Sequence, residues 1–228
     1  MKRQQLFLLA SLAAACTTVA WSVPASADDV VHSNLGPGNT YGGGAAYFVD
    51  RTASGSSSET AAAFTPSGDF TLTQIAVGIL NLGGTNSVML SLEGSNSHGL
   101  PNGTALASFP LTDLPPVGEC TSLRGCVIQG SQIVKPTSLV ELLKDTEYWL
   151  VASPPSTFSP NDWVTNDTDA TGGTARNTGS GFFRLSPSSL APAFEVLGTP
   201  AGVPEPATLG LMVLGLLGVG FAGRRRRN

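Results

Sequence analysis

Val88-Met89-Leu90-Ser91-Leu92-Glu93 alternates without a break: Val88, Leu90 and Leu92 fall on one side, and Met89, Ser91 and Glu93 on the other. Successive side chains of a strand point to opposite faces, so this pattern predicts a half-buried antiparallel strand. Upstream, Phe70 and Leu72 alternate in one phase, and Ile75, Val77 and Ile79 in the opposite one. A period of two tolerates such a slip only where an extra residue is inserted, so a strand over 70–80 is expected to carry a bulge near Thr73-Gln74. Apolar runs bounded by Gly, Pro and Asn predict further strands at 45–50, 61–66, 104–111, 127–134 and 147–153, with weaker ones at 162–166, 181–185 and 193–197. Residues 28–44 are expected to be irregular, 51–60 a Ser-rich loop and 94–103 a polar loop. Ser138-Leu139-Val140-Glu141 has the form of a helix capping box, for which one helical turn is expected. The sum is an all-β fold: an antiparallel, jelly-roll-like β-sandwich over residues 28–200, with no internal repeat.

Each end of the chain has the form of an address. Lys2 and Arg3 precede an apolar run over 6–15, broken only by Ser11, and Ala25-Ser26-Ala27 follows. Charge, apolar run and small residues in that order read as a secretory signal over 1–27, cleaved after Ala27, with Ala25 and Ala27 as the small residues. The partners this implies are the Sec export machinery and signal peptidase. A membrane anchor is the weaker reading, because the run is short and Pro24 follows it. A lipid-attachment site at Cys16 lacks the Leu it needs three residues earlier, where Ala13 stands.

At the other end, 203–228, Pro204-Glu205-Pro206 leads into a stretch over 209–222 made only of Leu, Val, Met, Phe, Gly and Ala. Arg224, Arg225, Arg226 and Arg227 close it. A helix over 207–223 would be about 26 Å long at ~1.5 Å per residue. That barely spans a hydrocarbon core of ~30 Å. The arginines should stay cytoplasmic as a stop, which places the body across the inner membrane, in agreement with the secretory signal. Tripeptide, short glycine-containing anchor and arginine cluster together closely resemble the PEP-CTERM sorting signal. The resemblance implies recognition by an exosortase, a membrane cysteine protease-transpeptidase, and a cut near Pro204, Glu205 and Pro206. It further implies an inner-membrane intermediate, then release to the cell surface or extracellular matrix of a Gram-negative-type bacterium.

Between the two signals, over 28–203, six basic residues face fifteen acidic ones, a formal charge of −9 that the whole-chain value of −4 conceals. Such a body has no non-specific affinity for nucleic acid. It suits an extracellular domain, and calcium is the one cofactor its charge would favour. Cys120 and Cys126 form an even pair in an exported chain, which predicts a disulfide. Their spacing, with no nearby His, is poor for zinc.

Three pieces of the body are similar to the choice-of-anchor R domain of bacterial surface proteins. They are Ala62-Ala63-Phe64-Thr65 with Phe70-Thr71-Leu72-Thr73-Gln74-Ile75; Val88-Met89-Leu90-Ser91-Leu92 with Gly99-Leu100-Pro101-Asn102-Gly103; and 142–151, ending Tyr148-Trp149-Leu150-Val151. That family implies a surface role with no established molecular activity.

Candidate contacts are few. Trp163, in a polar stretch, is expected to be exposed. Trp149 is the other aromatic that could stack on a sugar, with core packing the alternative. Asp167, Asp169, Thr171 and Gly172 copy the start of a calcium loop, but Thr178 stands where an EF-hand needs Glu, so a solvated turn is the preferred reading and Asp167 and Asp169 remain weak calcium candidates. Ser97-His98 lacks the rest of a hydrolase set, and neither G-x-S-x-G nor H-E-x-x-H occurs. Fifteen acids offer many pairs for glycoside hydrolysis and single out none. The expectation is a non-enzymatic structural or adhesive protein of the surface, biofilm or exopolysaccharide matrix. A carbohydrate-binding module is the alternative, and a secreted hydrolase comes third.

Overall fold

The alternation over Val88–Glu93 holds: in the computed structural model, which describes residues 28–42, 44–117 and 126–201, it lies in a strand that buries Val88, Leu90 and Leu92 and leaves Met89 42 % exposed. That strand, β7 (Ser87–Ser95), belongs to a nine-stranded sheet. Its order is β6 (Ile79–Asn81), β13 (Ser159–Val164), β3 (Ala46–Arg51), β4 (Ser57–Phe64), β12 (Tyr148–Ser153), β7 and β8 (Pro101–Thr112). β14 (Thr174–Asn177) takes the edge of β4 that β3 leaves, and β15 (Phe182–Arg184) pairs with β14. The second sheet has the order β1 (Asp29–Ser33), β16 (Phe194–Pro200), β5 (Phe70–Val77), β10 (Ile133–Val134), and β11 (Glu141–Leu142) pairs with the other end of β5. A small ladder joins β2 (Thr40–Tyr41) to β9 (Cys126–Val127). Every strand pair is antiparallel.

One apolar cluster unites the inner faces. Val31, Leu72, Ile75, Val77, Phe194 and Val196 come from the smaller sheet. Val49, Phe64, Leu90, Leu92, Leu111, Leu150 and Trp163 come from the larger. Phe194 sits among rings, stacked on His32 at 4.7 Å and edge-on to Trp163 at 6.5 Å between centroids.

The bulge expected in β5 is present. Leu197 pairs with Gln74 and Gly198 with Leu72, so Thr73 is the inserted residue, and Leu72, Ile75 and Val77 reach the same core despite the phase slip. The strand expected over 70–80 is nevertheless broken. At Gly78 the chain leaves the five-stranded sheet and enters the nine-stranded one. The Gly78 amide donates to Ala193 O at 2.9 Å, just before β16, while its carbonyl accepts from Val164 N of β13 at 2.9 Å. A Cβ here would lie 2.8 Å from Tyr41 Cδ2 and 3.1 Å from Ala193 Cβ, so only glycine lets the two sheets join this closely.

Several expectations change. Residues 28–44 are not all irregular: β1 and β2 form because β16 and β9 offer free edges. The Ser-rich loop ends early, since Ser57–Thr60 extend β4 against β3 and β14. The polar loop over 94–103 shrinks to a turn at 96–100. Over 127–134 the chain is extended only at its ends, with a 3-10 turn at Gly130–Gln132 between; buried Gln132 donates to Ile79 O at 2.9 Å and Tyr41 Oη at 3.2 Å. No helical turn forms at 138–141; Val140 O accepts from Leu72 N at 2.9 Å and the chain continues into β11, because backbone bonds to the edge of β5 outweigh a local cap. No helix of the described residues is long and apolar enough to cross a membrane; the secretory signal and the tail helix expected over 207–223 lie outside them.

Gly78→Ala is expected to lower the stability of the protein by about 1–3 kcal/mol through overpacking at the corner. Gly78→Val should cost more. Urea unfolding followed by tryptophan fluorescence reads both, and unchanged midpoints would show that the corner can relax.

Candidate functional site

The β7–β8 hairpin departs from regular register where it borders the outer face of the large sheet. Leu92 pairs with Ala107 and Glu93 with Ala105, so Leu106 is extra; beyond Glu93, Ser95 pairs with Pro101, so Gly94 alone faces Asn102, Gly103 and Thr104. Bulges re-aim side chains and backbone. Here the bulge turns the Gly103 amide onto Glu93, donating to Oε2 at 2.7 Å. Gly103 has φ +75°, a conformation glycine adopts without strain. A groove of about 460 Å³ opens beside this turn, lined by Glu59, Glu93, Asn102, Ser153, Leu100 and Phe182 among others.

The two carboxylates of the groove differ. Glu59 is fully engaged: Ser153 Oγ donates to Oε1 at 2.8 Å and Asn177 Nδ2 to Oε2 at 2.7 Å. Glu93 is only 8 % exposed, and its Oε1 has no hydrogen-bond partner among the described residues. Burial pushes its carboxyl above the ordinary carboxylate range; the Gly103 amide opposes this, and the charge of Glu59 adds to it. Asn102 holds the turn by accepting Thr104 N at 2.8 Å on Oδ1, and its Nδ2 has no hydrogen-bond partner among the described residues.

A second charged group lies alongside. Arg184 binds both oxygens of Glu147, at 2.8 and 3.0 Å, and its guanidinium stands 5.0 Å from the centre of the Trp149 ring. Trp149 Nε1 donates to Ser95 Oγ at 2.9 Å, and Ser95 Oγ donates to Glu147 Oε2 at 2.6 Å. Burial raises the Glu147 carboxyl, but the bonds from Ser95 and Arg184 and the charge of Arg184 outweigh it and hold Glu147 below its ordinary value.

Trp163 is not the exposed aromatic the polar surroundings predicted. It is 0 % exposed, its ring in the main core and its Nε1 donating to Ala193 O at 2.9 Å. Trp149 is also 0 % exposed, covered by Leu100, Phe182 and Arg184, so neither ring offers a free face for stacking. Asp167 accepts from Thr40 Oγ1 at 3.0 Å, and Asp169 lies in a turn closed by Asn166, whose Oδ1 receives Thr168 N and Ala170 N. No group of three or more His, Cys, Asp or Glu placed to hold a metal occurs among the described residues. His98 lies in the 96–100 turn, its amide bonded to Asn96 Oδ1. Cys126 is buried on β9 and engaged; Cys120 lies outside the described residues, as do Ala25, Ala27, Pro204, Glu205, Pro206 and the arginines from Arg224 to Arg227. Glu59, Glu93 and Asn102 were missed. Glu93 stood on the polar side of the clearest strand, and only the irregular register of β8 turns that side into a groove.

The body ends as the tail begins. β16 stops at Pro200, Ala201 N still donates to Asp69 O at 2.8 Å, and the chain then reads Gly202-Val203-Pro204-Glu205-Pro206 into the apolar stretch and the arginines. Residues 202–227 match the PEP-CTERM protein-sorting motif. The PEP-CTERM motif implies an exported protein with a C-terminal membrane-anchored sorting signal, an exosortase as its processing partner and a cell-surface location. The match covers the tail and not the choice-of-anchor R resemblance of the body. No curated protein and no solved structure matches the chain.

A carboxyl raised by the fold favours its protonated form, so it lowers stability as pH rises from the unfolded value of about 4.3 through the folded one. Glu93→Gln keeps an acceptor for Gly103 N and removes the charge. Its unfolding midpoint in urea should therefore exceed that of the wild type at pH 8 and converge with it at pH 3. A constant difference across that range would show that Glu93 is not destabilised by its burial.

Proposed function

We propose that the chain is a non-enzymatic structural or adhesive protein of the cell surface or extracellular matrix of a Gram-negative-type bacterium, associated with biofilm or exopolysaccharide and released there by an exosortase. The observation that carries this reading is the PEP-CTERM match at 202–227, which adjoins a β-domain ending at Pro200. A cut near Pro204, Glu205 and Pro206 would leave every described strand intact. A cut after Ala27 would likewise leave Asp28 just ahead of β1, and β1 pairs with β16, so both processed ends would lie on neighbouring strands of one sheet. The two sheets then act as the jelly-roll-like sandwich of a choice-of-anchor R type body. Glu59 has both oxygens committed, which disfavours a two-carboxylate hydrolase in the groove.

The proposed route is secretion through the Sec machinery, removal of 1–27 by signal peptidase, a transient inner-membrane form held by Arg224 to Arg227, and exosortase cleavage. Proline disfavours helix, so the sequence of the tripeptide is expected to oppose extension of a membrane helix and to keep Glu205 on accessible chain. Replacing Pro204, Glu205 and Pro206 by alanine should trap a larger, membrane-bound form, whereas the wild type should lose the chain beyond the cut, Arg224 to Arg227 included. Immunoblots of fractionated cells and C-terminal peptide mapping read this. A surface form that retains its arginines would reduce the tail to a plain anchor.

Export also favours a bond between Cys120 and Cys126. Mass spectrometry of the exported protein without reductant should show the mass of the bridged peptide, and two alkylatable thiols at these positions would refute the pairing. The loop is short, so its closure would add no more than about 2–3 kcal/mol.

A further inference from the structure

The geometry points to the groove beside the β8 bulge as a binding site for the vicinal hydroxyls of a neutral saccharide, with Glu93 and Asn102 as the contacting residues. This goes beyond the sorting reading and does not depend on it.

Nearly all polar groups of the groove are already satisfied by one another. Glu59 is held by Ser153 and Asn177. Asn177 Oδ1 receives Gly179 N at 2.9 Å and Gly181 N at 3.0 Å, and Asn96 Oδ1 receives His98 N and Leu100 N. These residues form a fixed frame. Two side-chain atoms have no hydrogen-bond partner among the described residues: Glu93 Oε1, an acceptor on a side chain more than nine-tenths buried, and Asn102 Nδ2, a donor. Glu93 sits opposite the bulge that carries Asn102, so both belong to one turn of the hairpin. Glu93 is thus a largely buried side chain that lines the groove and has one carboxylate oxygen free to accept a hydrogen bond from an occupant.

The chemistry of the pair narrows that occupant. An anion is excluded by Glu93, by the adjacent Glu59 and by the formal charge of −9 over 28–203. A divalent cation would seek several oxygens, whereas one free carboxylate oxygen is offered beside an amide donor. A hydroxyl pair fits both: one hydroxyl donates to Glu93 Oε1 and its neighbour accepts from Asn102 Nδ2. Leu100, Pro101, Val151 and Phe182 supply the apolar wall that the C–H face of a sugar ring requires, and the volume lies within the ~300–1,000 Å³ usual for small-ligand sites.

The test uses the processed protein recovered from its host and three neutral probes, maltotetraose, cellotetraose and chitotetraose, with CaCl₂ alone and a lysine tetrapeptide as separate arms. Saturation-transfer difference NMR with at least one saccharide should be positive. In isotope-labelled protein the Gly103 amide and the Asn102 side-chain amide should shift on titration. Glu93→Gln, which retains the acceptor for Gly103 N, should weaken binding at least tenfold, and Phe182→Ala should weaken it through loss of the apolar wall. Leu139→Ala, on an exposed residue outside the groove, should leave it unchanged. No saccharide signal at 10 mM probe, unchanged affinity in Glu93→Gln, or shifts of Gly103 produced only by CaCl₂ or the lysine peptide would each overturn the assignment. None of these results bears on whether the tail is cut.

Discussion

The apolar contact between the inner faces of the two sheets carries the rest of the structure. Neither sheet could hold its shape alone, since each would expose a row of large side chains to water. Full burial of a Leu, Ile, Val or Phe contributes about 1.5–3 kcal/mol. Leu72, Ile75 and Val77 of β5 meet Leu90, Leu92, Leu150 and Trp163 from across the core. No α-helix among the described residues offers another route to that burial. The contact requires the sheets to stay close at the corner where β5 becomes β6, and there Gly78 serves by having no side chain.

From that corner follow several features that look unrelated. Trp163 lies under Ala193 and bonds its carbonyl because β13 and the start of β16 meet at Gly78. Asn34 ties the same region, accepting Phe194 N on Oδ1 at 2.8 Å and donating to Pro192 O at 2.8 Å. The segment between β9 and β10 is held by Gln132, which reaches Ile79 and Tyr41 around the glycine. A polar side chain with every bond made is tolerated in such a core, whereas one left unpaired would be costly.

The outer face of the large sheet obeys different rules. Its centre, around Trp149 and Val151, is covered by Leu100, Phe182 and the Arg184–Glu147 pair. Its margin is left open by the irregular register of β8, and there polar side chains line a groove. Surface pairs such as Arg184–Glu147 add little stability where water screens them. Their role here is to pin β15 and the 96–100 turn, through Arg184 Nε and Gly99 O at 2.9 Å, and so to fix one wall of the groove. Within that frame Glu93 Oε1 and Asn102 Nδ2 make no hydrogen bond to other described residues.

The alternation over Val88–Glu93, the phase slip at Thr73 and the turn signals determined by themselves that this chain is antiparallel β, because side-chain period is a local property of a strand. Pro204-Glu205-Pro206, the apolar stretch and the arginines determined the sorting signal in the same way, because the machinery that reads such a tail reads it in linear order. Other features had no local signature. The short strands β1, β2 and β11 exist because other strands offer them an edge, and nothing in 28–44 or 138–142 announces that edge. The polarity around Trp163 pointed outward, but its fate was decided by the meeting of β13 with β16. Glu59 and Glu93 carry no motif, and their joint place in one groove was decided only when β4, β12 and β7 aligned. Which polar atoms remain unsatisfied is a property of the assembled hydrogen-bond network, and so belongs to the tertiary structure alone.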